Sequence, residues 1–135
     1  MKNNNSTIHL FIKQYITCGI FGWCMEILFT SLHALRRQDP ALMGSTSLWM
    51  FPIYGLAALL RPISHRLHKQ PAILRGFLYA CIIFLVEFIS GRLLQQKGAC
   101  PWDYGRSKWN IKHVIRLDYL PNWMIAGLLF ERILK

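Results

Sequence analysis

Apolar residues run in long blocks along this chain, not in the alternation of a strand or the narrow stripe of a soluble helix. The first block extends from about Ile8 to Ser31, and only Lys13 and Glu26 interrupt it with charge. From Ala41 to Leu60 there are twenty consecutive residues without a formal charge, enough to cross a hydrocarbon core of ~30 Å at ~1.5 Å per residue. A third block runs from about Ala72 to Leu94, with an uncharged centre at Gly76–Val86. The last, Tyr119 to Leu134, is short for a full span, and is expected to tilt little, thin the bilayer locally or lie partly at the interface. The pattern predicts an all-α integral membrane bundle of about four transmembrane helices, near residues 8–31, 47–66, 72–94 and 119–134. These form one membrane domain over 1–135, with a polar, aromatic hairpin loop before the last helix.

Breaks between the blocks are chemically marked. Arg36, Arg37, Asp39 and Pro40 end the first helix, and Gly44-Ser45-Thr46-Ser47 supplies a loop and an N-cap before Leu48. Pro52 falls early in the second helix, where a missing amide is tolerated or produces a kink. Arg61 to Arg75 holds six basic or imidazole side chains, with Pro62 and Pro71 as breaks, the composition of a headgroup loop. His65 and His68 in it are three apart, but four cations and no carboxylate surround them, which argues against a metal pair.

Two helical faces carry small and polar residues. Tyr15, Gly19, Gly22, Glu26, Thr30 and His33 fall along one stripe at steps of three or four. Gly76, Ala80, Ile83, Glu87 and Gly91 form another. Small residues let helices approach closely in lipid, so both stripes should face protein. A weak echo links Met25–Ser31 with Val86–Gly91, and Trp49-Met50 before Gly55-Leu56 with Trp123-Met124 before Gly127-Leu128. Related helix pairs of this kind would suit a transporter, although apolar helices also resemble one another by chance.

Composition agrees with a membrane class. Of the 135 residues 53% are hydrophobic and 16% charged, against roughly 25% charged in soluble domains, and a domain this small cannot hide the excess. Net charge is +10. The basic residues gather at the ends of apolar blocks, so the partners expected are the bilayer and its anionic lipid headgroups, not nucleic acid. Loop charge gives no orientation, because a four-span arrangement places eight Lys/Arg on each side. Cys18, Cys24, Cys81 and Cys100 lack Cys-x-x-Cys spacing, which supports neither a disulfide framework nor zinc. The start, MKNNNSTIHLF, has little basic n-region and no clear cleavage site, so the first apolar segment is expected to be retained. No metal and no cofactor is expected.

The candidate chemistry lies in the acids. An ionised side chain at the centre of a membrane helix costs about 2.5–3.5 kcal/mol on insertion scales. Glu26 and Glu87 both fall on the inward stripes, and if the first and third helices cross in the same direction they lie at similar depth, roughly 8–10 Å from a helix end. Arg92, five residues beyond Glu87, is the nearest cation in sequence and could reach Glu26 or Asp103. Pro101 stiffens the Cys100–Tyr104 turn, in which Trp102, Asp103 and Tyr104 would cap the site. The site expected is therefore Glu26, Glu87, Arg92, Trp102, Asp103 and Tyr104, set against a plain helix-pairing Glu–Arg network. Glu131, near Arg132 and Lys135, reads as a solvated ion-pair residue. Phosphate-loop, His-Glu-x-x-His and Gly-x-Ser-x-Gly motifs are missing from the sequence, so no ATPase lies in this chain and no catalytic motif marks it as an enzyme.

At these residues the sequence resembles a known family. Gly22-Trp23 followed by Glu26, Thr46-Ser47-Leu48-Trp49-Met50-Phe51-Pro52-Ile53-Tyr54-Gly55, Glu87-Phe88 with Gly91, and Ala99-Cys100-Pro101-Trp102-Asp103-Tyr104 are similar to the transmembrane protein 229 family. They also resemble the related bacterial CmpB-like family of type IV ABC-transporter permeases. A Ser often follows the Tyr of the last motif in the family, where this chain has Gly105. The resemblance covers roughly Gly19 to Gly127. It implies a multi-pass membrane protein, in a bacterial cytoplasmic membrane, whose ABC role would need a separate ATPase subunit.

Three functions compete on this reading. The first is a membrane protein that binds or helps transport an ion or small polar, lipid-like molecule, as a homo-oligomer or with other subunits. A lipid-modifying enzyme would instead use the paired carboxylates as general acid and base on a headgroup. The third is a purely structural membrane subunit.

Overall fold

The computed structural model describes residues 2–135, with side chains from Asn4 onward. Helix α1 spans Lys2–Arg36, α2 Met50–Gly55, α3 Leu60–Leu67, α4 Ala72–Gln96 and α5 Leu120–Leu134, with 3-10 turns at Leu56–Leu59 and Leu117–Tyr119. Strands β1 (Asn110–Ile111) and β2 (Ile115–Arg116) make a small antiparallel hairpin in which Ile111 faces Ile115. The chain is mostly helical, and divides into two compact units, Met1–Ala58 and Leu59–Lys135.

Among the described residues two helices are long and apolar enough to cross a membrane, Asn4–Arg36 and Ala72–Gln96. Only 17% and 22% of their apolar windows are buried within the chain. A soluble core helix would be mostly covered, so these surfaces need an apolar exterior. The chain is a membrane protein. The other two predicted spans are shorter or interrupted as helices: α5 has 15 residues, and the second block is α2, a 3-10 turn and α3. Pro62 cannot donate an amide to the Ala58 carbonyl, and the helix tightens over that stretch.

Both long helices outrun the predicted spans 8–31 and 72–94: α1 runs on through Leu32–Leu35 to Arg36, where the sequence marks the break, and α4 continues through Gln95 and Gln96. Helix α1 closes where Gln38 adopts φ 58° and the Asp39 amide bonds the Ala34 carbonyl. Helix α4 ends at Gly98, φ 65°, with the Ala99 amide returning to the Leu94 carbonyl at 2.8 Å, the left-handed cap for which glycine is suited. Hydroxyls inside the helices serve themselves. Thr17, Thr30, Ser31 and Ser90 each donate to the carbonyl four residues earlier, leaving no polar atom of theirs wanting in an apolar surround.

In the first unit the segment Gly44–Gly55 folds back along α1. Its landing strip is the predicted small-residue stripe. A Cβ on Gly19 would stand 2.8 Å from the Phe51 ring, one on Gly22 only 2.1 Å from Tyr54 Cγ, and Gly55 closes on the Tyr15 ring in turn. The Tyr15 hydroxyl donates to the Pro52 carbonyl, and the Trp23 indole to the Ser47 carbonyl. Ser47 also accepts the Trp49 amide through its hydroxyl, capping the turn that leads into α2.

In the second unit α4 and α5 run antiparallel. Gly76 meets Met124 and Leu128, and Gly127 closes on Tyr79. At the other end of α4 the hairpin lies over Gly91, where Val114 and the Trp102 ring approach.

Candidate intramembrane carboxylate sites

Three glutamates lie on helices, and each accepts a hydrogen bond from a tyrosine hydroxyl. Glu26 sits part-buried on the α1 stripe, where Gly22, one turn away, lets Tyr54 come down against the helix. The Tyr54 hydroxyl donates to Glu26 Oε2 at 2.9 Å. Among the described residues no Lys, Arg or His forms an ion pair with Glu26.

Glu87 is 8% exposed on the inward face of α4. The Tyr104 hydroxyl donates to its Oε1 at 3.1 Å. Tyr104 is held in place from three sides. Its amide bonds the His113 carbonyl, its ring meets Tyr119 edge-on at 5.6 Å, and the Trp102 indole beside it donates to the Val114 carbonyl at 3.0 Å. Behind Tyr119 stands Arg116, with its guanidinium 4.3 Å from that ring and bonded to the Tyr119 hydroxyl. Asp118 receives the Arg116 Nε on both oxygens at 2.9 Å. That hydrogen-bonded guanidinium holds the Asp118 carboxyl below its usual range. A chain of contacts thus leads from a buried carboxylate to an exposed ion pair.

The remaining members of the predicted site fall elsewhere. Arg92 is turned to Gln95, whose Oε1 accepts its Nη1 at 3.1 Å, and Gln95 in turn donates to the Lys112 carbonyl. Five residues along a helix place Arg92 well round from Glu87, so it anchors the hairpin instead of neutralising an acid. Asp103 is exposed. Its Oδ1 accepts the Gly105 amide at 2.8 Å and the His113 ring at 3.0 Å, and these bonds, the amide first, hold its carboxyl below the usual range. It is a turn-forming residue; Trp102 braces Gly91, and of the Trp102–Tyr104 cap only Tyr104 bonds the acid. Cys100 tucks its thiol against the Trp102 carbonyl, and burial pushes its pKa up. Glu26 lies ten residues, roughly 15 Å, before the end of α1, and Glu87 nine residues, roughly 14 Å, before the end of α4. Each is deeper from its own helix end than the sequence suggests.

Glu131 is an ion-pair residue, as the sequence suggests, but its surroundings correct the reading. It is 5% exposed, not solvated, and its Oε2 takes both Arg75 Nε at 3.0 Å and the Tyr79 hydroxyl. Its cation is Arg75 of α4, with Lys135 at 3.8 Å on the other oxygen. Gly127, Glu131 and Leu134 fall on one helical face, and Gly127 on it marks the close approach to Tyr79. Buried, opposite a guanidinium and hydrogen-bonded, this acid clamps α5 to α4.

Among the described residues no group of three or more His, Cys, Asp or Glu gathers as a metal site. His65 and His68 are exposed, and the His68 ring bonds the His65 carbonyl.

Comparison with known proteins gives one family. Residues 14–135 match the family model described as "Putative ABC-transporter type IV". No solved structure matches the chain.

Proposed function

The chain belongs to this ABC-transporter type IV family, and from that premise we propose that it is a multi-pass membrane subunit with two polar binding points, Glu26–Tyr54 and Glu87–Tyr104. Each would take up and release a proton, an ion or the cationic part of a small polar or lipid-like molecule. The observation that carries this reading is the kind of donor each acid is given. A tyrosine hydroxyl fixes each carboxylate in position, at 2.9 Å on Glu26 and 3.1 Å on Glu87, and at Glu26, which forms no ion pair among the described residues, it leaves the charge to be balanced by something else. Glu131, held by Arg75, is the contrast within the same chain. Sites of this type sit where membrane proteins place ion pathways and proton relays.

Transport by this subunit requires a separate ATPase, and a solute path in so small a chain calls for a homo-oligomer or further subunits. The basic segment Arg61–Lys69 suits anionic headgroups, placing one loop at a membrane surface. Kinship with the transmembrane protein 229 family rests on the Cys100–Tyr104 turn and the Thr46–Gly55 segment, both of which supply the tyrosine partners. The natural setting proposed is a bacterial cytoplasmic membrane.

The test is purification of the tagged protein from native membranes in mild detergent, with Glu26→Gln and Glu87→Gln beside the parent. Recovery of a nucleotide-hydrolysing subunit, with activity changed by either substitution, is the expected result. Variants that assemble and act like the parent would refute the binding points.

A further inference from the structure

The first unit contains a cleft that the carboxylate sites do not use. It has a volume of about 450 Å³ and is lined by Trp23, Leu48, Trp49, Phe51 and Pro52, within the roughly 300–1,000 Å³ of small-molecule sites. Trp23 and Phe51 meet with ring centroids 4.8 Å apart and planes tilted by 54°, and form its floor. Leu48 and Trp49, at its mouth, are 80% and 53% exposed, a large apolar area to leave uncovered.

Three features decide what could fill it. Every lining side chain is apolar or aromatic, and the floor's polar atom is already spent, since the Trp23 indole donates to the Ser47 carbonyl at 3.0 Å. A polar solute would lose its water there and gain no partner. Next, Trp23 lies on α1 between Ile20 and Ile27, both about half-exposed, and these lead into the exposed apolar face of a helix suited to cross a bilayer. The cleft therefore opens toward the surface that lipid covers. Finally, Trp23 lies thirteen residues, roughly 20 Å, before the end of α1, within its apolar block, a depth at which a groove entered from the lipid side meets acyl chains.

We propose that this cleft holds one acyl chain of a bilayer lipid, taken in between Trp49 and the Trp23–Phe51 pair. The site does not depend on the carboxylate reading. Its ligand is recognised by apolar contact alone, so it should accept lipids with different headgroups.

The experiment uses the full chain carrying 5-fluorotryptophan, in nanodiscs of phosphatidylcholine and phosphatidylglycerol with a small, varied fraction of lipid spin-labelled at mid-chain. The five tryptophan ¹⁹F resonances are assigned by single Trp→Phe substitutions. Trp109, 58% exposed in the hairpin loop, matches Trp49 in exposure but lies outside the cleft. The proposal expects Trp49 and Trp23 to lose most of their intensity at low label fraction, with saturation, whichever headgroup carries the label. Leu48→Glu, which sets a charge at the mouth, should abolish that loss at Trp49 while the Trp102 and Trp123 resonances keep their shifts. Broadening of Trp49 that rises linearly with label, as for lipid in the bulk, would overturn the proposal. So would a Trp49 resonance untouched by label in a protein that runs as a dimer, because a second copy would then cover the cleft.

Discussion

Gly22 is the position at which packing and the candidate site depend on one atom. A Cβ there would lie 2.1 Å from Tyr54 Cγ and 2.4 Å from Tyr54 Cβ. These atoms sit close to the α2 backbone, so the ring cannot swing clear and α2 itself must move outward. Overpacking of this kind costs about 1–3 kcal/mol. The same movement withdraws the Tyr54 hydroxyl from Glu26, and a hydrogen bond to a charged group contributes about 1.5–3 kcal/mol. Gly22→Ala should therefore destabilise the first unit by roughly 2.5–6 kcal/mol. Gly19→Ala provides the graded comparison. Its Cβ would meet the far edge of the Phe51 ring at 2.8–3.0 Å, where a rotation of the ring relieves the clash, and about 1 kcal/mol is expected. Unfolding by sodium dodecyl sulfate in mixed micelles, followed by the far-ultraviolet signal, would measure both. A Gly22→Ala protein as stable as the parent, or less affected than Gly19→Ala, would refute the account of how α2 is seated.

Other outcomes follow from the second unit. Arg75→Met should cost about 3–5 kcal/mol in thermal unfolding, because it strands a buried Glu131 carboxylate, and adding Glu131→Leu should recover most of the loss. Trp102→Phe removes the bond to the Val114 carbonyl and should loosen the hairpin by about 1 kcal/mol, read as faster amide exchange at residues 110–116. Asp103 has a lowered pKa when folded, so its stabilising contribution is present in full above the unfolded value, roughly 3.9, and fades as pH falls through the folded value. Amide exchange at Gly105 should accelerate over that acidic range, and Asp103→Asn should make it fast and pH-independent there once intrinsic exchange is divided out. Arg92→Gln, which disturbs an exposed contact, should change stability by less than about 0.5 kcal/mol.

The small-residue stripes were legible in the sequence because close approach in lipid demands glycine at helical spacing, and Gly19, Gly22, Gly76 and Gly91 all lie at such approaches. The partners of the acids were not legible. Tyr54, Tyr104 and Tyr79 meet Glu26, Glu87 and Glu131 across 28, 17 and 52 residues of chain, and nothing local marks which tyrosine belongs to which acid. Glu131 was misread from its neighbours: Arg132 and Lys135 make the segment look solvated, yet a helix turns about 100° per residue, so Glu131 and Arg132 face different surroundings. Arg92 shows the same geometry in reverse, near Glu87 in sequence and directed to Gln95 in space. The end of α4 was underestimated because Gln95 and Gln96 mark where lipid ends, which is not where hydrogen bonding ends.

The central claim is that Glu26 and Glu87 exchange a proton or cation while Glu131 is a fixed clamp. Isotope-edited infrared difference spectroscopy of the protein in nanodiscs, titrated in pH and then exchanged between sodium and potassium, tests it most directly. The account predicts carboxyl bands that respond to the titration or the exchange, one lost in Glu26→Gln and another in Glu87→Gln, with both retained in Glu131→Gln. Carboxyl bands that are silent throughout, or that vanish only in Glu131→Gln, would contradict it.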